Sequence, residues 1–328
     1  MRFIIYGLGA IGGTFAAALA RSGQSVVAIA RGRMLEAVKA DGLMFRTPAG
    51  SERIRFPVFA GPHEIAFEPD DVAILTVKSQ DTQAALRALC DAGFGDRPVV
   101  CAQNGVNNER VALRFFPNVY AMTVMMPADY TVPGEVTCFG TPRHGMLDLG
   151  RYPHGLDDTV AGIATAMAGA NFAAFPLEQV MRSKYGKLRD NLGNVVEAAL
   201  GGGGDKGPLR SGSLVTAIHG EAERVYTAAG IEWVAVGNAD PRRKGLMEIG
   251  PVDGVTRAGG SSLQSLKRRT GSIETDYLNG EIVLLGRLHG VPTPVNAALC
   301  DVGRELVGER AAPGSMSAEE LAHRLGLG

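Results

Sequence analysis

Cysteine is scarce in this chain of 328 residues: the four are Cys90, Cys101, Cys138 and Cys300, and none falls in a CxxC or Cys/His cluster. That scatter argues against a zinc site and a disulfide framework, and it fits a reducing compartment. Charge of one sign is lacking too. Lys plus Arg number 33 and Asp plus Glu 34, a formal net charge of -1. The balance excludes a nucleic-acid binder that relies on bulk positive charge, but it leaves room for a local basic pocket around one phosphate. Aromatics make up only 6%. No apolar run reaches the ~18 residues that a membrane span needs. The N-terminal MRFIIYGLGAIGGTFAAALARSG has glycines at fixed turn positions, unlike a signal peptide. A soluble, cytoplasmic protein is expected, with no internal repeat.

What the chain has in plenty is glycine, 44 residues, well above the ~7% average. Hydrophobic residues are 45% and charged residues 20%, enough apolar material for a sizeable core. At roughly 150 residues per domain the length suggests about two domains.

Arg2 to Tyr6 is an apolar run ended by glycine, which reads as a buried strand. A helical pattern follows from Ala10 to about Arg21, then a Ser-Gly-Gln turn and a second strand, Ser25 to Ala30. Parallel strands of this kind need a crossover helix, so the first 30 residues form one βαβ unit. The rhythm continues with strands at Val72–Val77, Pro98–Ala102 and Val119–Val124, and helices near Asp81–Cys90 and Asn108–Phe115. Residues 130–150 suit an antiparallel edge to this doubly wound sheet. From Glu178 the periods turn helical: Val180–Leu200, Thr216–Ala229, Leu278–His289 and Ala297–Gly308. A loop is expected at Gly201–Gly204, and a last short helix, Ser317–Leu325, opens on a Ser317/Glu320 capping box. The expected division is 1–177 for the sheet domain and 178–328 for a mostly α-helical domain.

Gly7-Leu8-Gly9-Ala10-Ile11-Gly12 is G-x-G-x-x-G, placed directly after a strand and opening a helix. The first glycine permits the tight turn, the second lets a pyrophosphate approach the backbone, and the third lets helix and strand pack closely. The helix N-terminus offers unpaired N–H groups and a positive dipole end. The second strand runs into Ala30-Arg31-Gly32-Arg33. NAD binders usually carry a carboxylate there for the ribose 2′-OH. An arginine instead suits a 2′-phosphate, so NADP(H) is expected with Arg31 as its partner. Ligands of such sheets bind beyond the carboxyl ends of the strands. Lys78 and Asn104 stand at two of these ends.

In the second half, Lys187 and Asn191 are four apart and share one helix face. Ser261 and Ser262 precede Glu274, which sits at a helix start. The ordered set GLGAIGG, TVKSQ, QNG, K-L-x-x-N, Ser-Ser, SIETDYLNG and HGVPTP resembles the ketopantoate reductase (2-dehydropantoate 2-reductase) family along nearly the whole chain. The resemblance implies a Rossmann domain followed by a helical domain, with the substrate in the cleft between. It implies NADPH-dependent reduction of a 2-keto acid to the 2-hydroxy acid, in pantothenate biosynthesis. By motif, Lys187 matches the general acid and Glu274 the substrate-hydroxyl binder. Asn191, Asn194, Ser261 or Ser262, and Asn104 match substrate contacts. Gly7 to Gly12, Arg31, Lys78 and Asn104 match cofactor contacts.

Three positions depart from the family pattern. The second helical asparagine usually falls eight residues after the lysine; here Val195 holds that place. Asn194 comes one residue early, rotated about 100° on an ideal helix. Tyr185 replaces a tryptophan-like residue and Ser265 a common aspartate. These changes touch the substrate pocket and leave the cofactor site intact. They keep open a related NADP-dependent oxidoreductase acting on another 2-oxo or imino acid. A non-catalytic NADP-binding sensor is the reading of a different class. The expected partner is a small 2-keto acid, with no nucleic acid, metal or membrane; a homodimer is left open.

Overall fold

The computed structural model describes residues 1–201, 212–269 and 271–327. The chain divides into two compact units, Met1–Lys184 with Ala235–Arg257, and Tyr185–Val234 with Ala258–Gly328.

The first unit begins with β1 (Arg2–Tyr6), α1 (Ala10–Arg21) and β2 (Ser25–Ile29). The strands pair in parallel, from Arg2 opposite Ser25 to Tyr6 opposite Ile29. Next come α2 (Gly32–Asp41), the hairpin β3 (Leu43–Thr47) and β4 (Gly50–Ile54), and the short β5 (Val58–Phe59). The alternation resumes with β6 (Asp71–Leu75), α3 (Thr82–Asp91), β7 (Val99–Cys101), α4 (Asn108–Ala112) and β8 (Val119–Met125). It closes with β9 (Ala128–Asp129), β10 (Glu135–Cys138), β11 (Gly140–Pro142), β12 (Met146–Arg151), α5 (Asp158–Gly169) and β13 (Ala173–Pro176).

The main sheet has eight strands in the order β13-β12-β8-β7-β6-β1-β2-β5. All its pairs are parallel except β12 with β8. Both faces are covered, which is why its strands read as unbroken apolar runs. Phe3 and Ile5 pack into the core on one face, and Ile4 joins Ala73, Leu75 and Val99 on the other. A second sheet, β4-β3-β10-β9, lies against α1. Of the 130–150 segment only β12 joins the main sheet; β10 pairs in parallel with β3.

The helical unit takes the end of α6 (Val180–Asn191), then α7 (Asn194–Leu200) and α8 (Ser213–Ala228). After β14 (Met247–Ile249), which belongs to the first unit, come α9 (Ser261–Lys267), α10 (Asn279–His289), α11 (Pro294–Gly308) and α12 (Ala318–Arg324). The single helix expected over 180–200 is therefore two, broken at Leu192-Gly193. Ser317 caps α12 as expected, its hydroxyl accepting from the Glu320 amide at 3.1 Å. Of the Gly201–Gly204 loop, Gly202–Gly204 lie outside the described residues.

The sequence division at 177/178 differs from the observed units in two ways. α6 carries the chain from one unit to the other, with the change falling at Lys184/Tyr185. Residues 235–257 return to the first unit because β14 pairs antiparallel with β11, Thr141 opposite Glu248. Arg242 also grips the fully buried Asp148 of β12 through two bonds of 2.9 and 3.1 Å. Among the described residues no helix is long and apolar enough to cross a membrane.

Candidate active site

The carboxyl ends of β2, β1, β6 and β7, adjacent in that order, carry the first group of expected residues. Gly7 leaves β1 at φ +111°, a conformation that a side chain would strain. A Cβ on Gly12 would lie 1.9 Å from the Gly7 carbonyl oxygen and 2.3 Å from Thr76 Oγ1, so α1 can sit this close only with glycine there. A Cβ on Gly9, by contrast, would meet nothing within 4 Å. Gly9 is also the N-cap of α1; no side chain caps this terminus and no acidic residue occupies its first turn. An open backbone beside uncapped N–H groups at a helix N-terminus fits the pyrophosphate of a dinucleotide.

Two residues that sequence reasoning passed over shape this turn. Thr76, just past β6, places its hydroxyl 2.7 Å from the Gly7 carbonyl and 3.1 Å from that of Tyr6. Gly13 lets Val136 of β10 approach to 2.5 Å of where its Cβ would be. The consecutive glycines thus serve two different faces of α1, Gly12 toward the main sheet and Gly13 toward the small one.

Arg31 follows β2 and caps α2 by its backbone. Its exposed guanidinium lies 3.8 Å from the carboxylate of Asp81, in the turn after β6. Since β1 runs between β2 and β6, the guanidinium stands over the end of β1. Tyr6, the last residue of β1, registers both charges. Burial pushes its phenol up, Arg31 pulls it down, and Asp81 adds to the rise. No carboxylate follows β2 within Ala30–Arg33.

Lys78 is half-buried and caps the short turn Ser79–Asp81. Asn104 is half-buried at the end of β7. Its carbonyl accepts from Asn108 Nδ2 at 2.9 Å and from Ser79 Oγ at 3.3 Å, so the loops after β6 and β7 are bonded to each other. The next anchor is Lys184. Its ammonium donates to the Gln103 carbonyl at 2.7 Å and lies 2.8 Å from Glu109 Oε1. Both charged side chains are buried. This ion pair fixes the residue before Asn104, and its partners lie too far apart in sequence to suggest each other.

The second group lies in the helical unit. Lys187, half-buried, and Asn191, buried, lie one turn apart on α6. Arg189 ties this helix to α8, pairing with Glu223 at 2.7 Å and lying 5.0 Å over the Trp233 ring. Tyr185 packs edge-on against Tyr226 at 5.4 Å, an apolar contact that explains an aromatic there.

The break at Leu192-Gly193 changes the meaning of Asn194. An uninterrupted helix would turn it away; instead α7 starts afresh at Asn194, whose Nδ2 lies 3.5 Å from Ser261 Oγ. Val195, at the family's usual asparagine position, is buried. Ser261 is exposed at the start of α9, whereas Ser262 is buried. Glu197, one turn along α7, accepts the Gly260 amide at 3.2 Å and so fixes the entry to α9. Ser265 bonds back to the Ser261 carbonyl at 2.9 Å. Glu274 is buried at the N-cap of the turn Thr275–Tyr277. Among the described residues no group of three or more His, Cys, Asp or Glu could hold a metal ion.

Comparison with known proteins identifies the family. Residues 3–154 match the model of the ketopantoate reductase PanE/ApbA family, and residues 209–306 match its C-terminal model. A 2-dehydropantoate 2-reductase of Caulobacter vibrioides is 30% identical over 304 residues, covering 89% of this chain and 94% of its own. The crystal structure of a PanE/ApbA family ketopantoate reductase from Ralstonia eutropha superposes with a TM-score of 0.76 at 26% identity, covering 94% of this chain and 99% of its own. D-mandelate dehydrogenase, solved with NADH and anilino(oxo)acetate, shares the fold at a TM-score of 0.74 and 23% identity, covering 95% of this chain and 98% of its own. This chain belongs to the ketopantoate reductase family and is an oxidoreductase of the 2-dehydropantoate 2-reductase type.

Proposed function

We propose that this enzyme reduces ketopantoate to pantoate with NADPH, with Lys187 as general acid. The observation that carries the reading is the approach of Asn194 to Ser261. It supports the reading because it pairs Asn194 with a second polar side chain although Val195 holds the family's usual asparagine position.

The glycine turn and the N-terminus of α1 would hold the pyrophosphate, Arg31 the 2′-phosphate, and Lys78 and Asn104 the nicotinamide end. When bound, the reduced nicotinamide supplies the hydride. Hydride arrival puts negative charge on the substrate's carbonyl oxygen. The Lys187 ammonium stabilises that charge and donates the proton. Asn191, Asn194 and the exposed Ser261 offer neutral hydrogen bonds to the substrate's carboxylate and hydroxyl groups, and Glu274 accepts from the hydroxyl. The NADH in the D-mandelate dehydrogenase structure supports a nicotinamide cofactor. The preference for NADP rests on Arg31.

The test is NADPH oxidation against a panel of 2-keto and 2-imino acids. Ketopantoate will give the highest kcat/KM; another acid turning over as well or better overturns the substrate assignment. Arg31→Ala will weaken NADPH binding about 10–100-fold, the scale of a lost charge-assisted contact, and NADH binding by less than about threefold. Equal weakening in fluorescence titrations of the two cofactors defeats the phosphate argument.

A further inference from the structure

The carbonyl left open by the helix break before Asn194 has a buried partner. The Leu192 carbonyl, at the break, accepts from Nδ2 of Asn279 at 3.0 Å. A carbonyl at a helix end needs such a donor. The same Nδ2 donates to Asn296 Oδ1 at 3.0 Å. Asn296 in turn donates from its own Nδ2 to Glu221 Oε2 at 2.7 Å and to the Ile218 carbonyl at 3.3 Å. Glu221 also accepts the backbone amides of Val295 and Asn296, each at 2.9 Å. All three side chains are buried, the two asparagines with no exposed surface.

The polarity of this chain of bonds is fixed at one end. Glu221 Oε2 serves as an acceptor, so Asn296 turns its NH₂ toward Glu221 and its oxygen toward Asn279. Asn279 must then present its NH₂ to both Asn296 and Leu192. Both Glu221 oxygens already accept backbone amides at the N-terminus of α11. Asn279 is also the first residue of α10 and follows directly on the segment that carries Glu274. One amide therefore joins the Glu274 segment to the turn between Asn191 and Asn194.

We propose that Asn279, oriented by Asn296 and Glu221, is a positioning residue that sets the bend between α6 and α7 and so places Asn191 and Asn194 for substrate. This rests on the roles given to those residues under the proposed function.

The experiment uses the full-length enzyme with NADPH and ketopantoate. Asn279→Ala will lower kcat/KM about a hundredfold, the scale of an ångström-level misplacement. Its NADPH affinity, set in the other unit, will stay within about twofold. A cycle with Asn194→Ala separates positioning from general damage, because residues acting through one another give non-additive effects. In the Asn194→Ala background, Asn279→Ala will cost less than about tenfold. The same cost in both backgrounds, or wild-type kcat/KM in the single variant, overturns the proposal. If Asn279→Ala does not fold, Glu221→Gln serves instead. It keeps the shape but frees the amides to flip, and its loss will be about tenfold; no loss overturns the proposal. Amide hydrogen exchange at residues 192–196 will rise in either variant, and unchanged exchange there also overturns it. Lys187→Ala is the parallel control: its full activity would defeat the proposed chemistry while leaving the exchange result to judge the bend.

Discussion

Lys187→Ala will lower kcat by about 10²–10⁴-fold, the range spanned by loss of a positioned general acid. The substitution takes the proton source and the positive charge from the carbonyl oxygen together. Both act as charge develops, so the loss will fall on kcat more than on KM. Cofactor affinity will be unchanged, since the glycine turn and Arg31 belong to the other unit. Alanine is the best helix former and Lys187 is half-buried on α6, so the fold will lose no more than about 1 kcal/mol. Single-turnover kinetics distinguish a slowed chemical step from slowed release. Partial rescue by small primary amines would identify the missing group as an ammonium. A variant with undiminished single-turnover rate would remove Lys187 from the reaction.

The largest effect on stability will come from Lys184, the last residue of the first unit's N-terminal segment. Lys184→Met leaves Glu109 buried without its countercharge and the Gln103 carbonyl without its donor. Breaking one side of a buried pair costs about 3–5 kcal/mol, whereas removing both charges can be close to neutral. Lys184→Met will therefore lower the melting temperature by roughly 10 °C. Lys184→Met combined with Glu109→Gln will recover most of that loss. Urea unfolding of the two variants decides the point. If the double variant is as unstable as the single one, packing around Lys184 outweighs its charge. Because Gln103 precedes Asn104, Lys184→Met will also raise the NADPH dissociation constant if Asn104 contacts the cofactor.

The parts of the structure that were legible in sequence are those set by short-range physics. An apolar run followed by G-x-G-x-x-G left little choice for Arg2 to Arg21, because each glycine answers a local steric demand. Ser317 could be read as a cap because its bond spans three residues. The strand ends carrying Lys78 and Asn104 followed from the alternation of apolar and helical periods. The elements that escaped lack such signals. β4 is Gly50-Ser51-Glu52-Arg53-Ile54, exposed except for its last residue, so no alternation betrays it. β14 has three residues, and its partner lies more than a hundred positions upstream. The break between α6 and α7 had only Gly193 as a local mark, and the apolar period runs on past it through Leu192, Val195 and Val196, all buried. The open Leu192 carbonyl there is met by a side-chain amide from α10, a partner too far along the chain to be read locally.

The return of residues 235–257 to the first unit bears on how the protein is made. Asp148 is buried in β12, and burial pushes its carboxyl up while Arg242 pulls it down. The arginine that neutralises it is 94 residues further along the chain. At ~5–20 residues per second, a ribosome needs about 5–20 s to deliver it. For that interval the nascent sheet holds an acid with no counterion and a β11 edge with no neighbour. An emerging chain in this state presents an open strand edge, and the first unit is complete only when the stretch ending in Met247–Ile249 arrives.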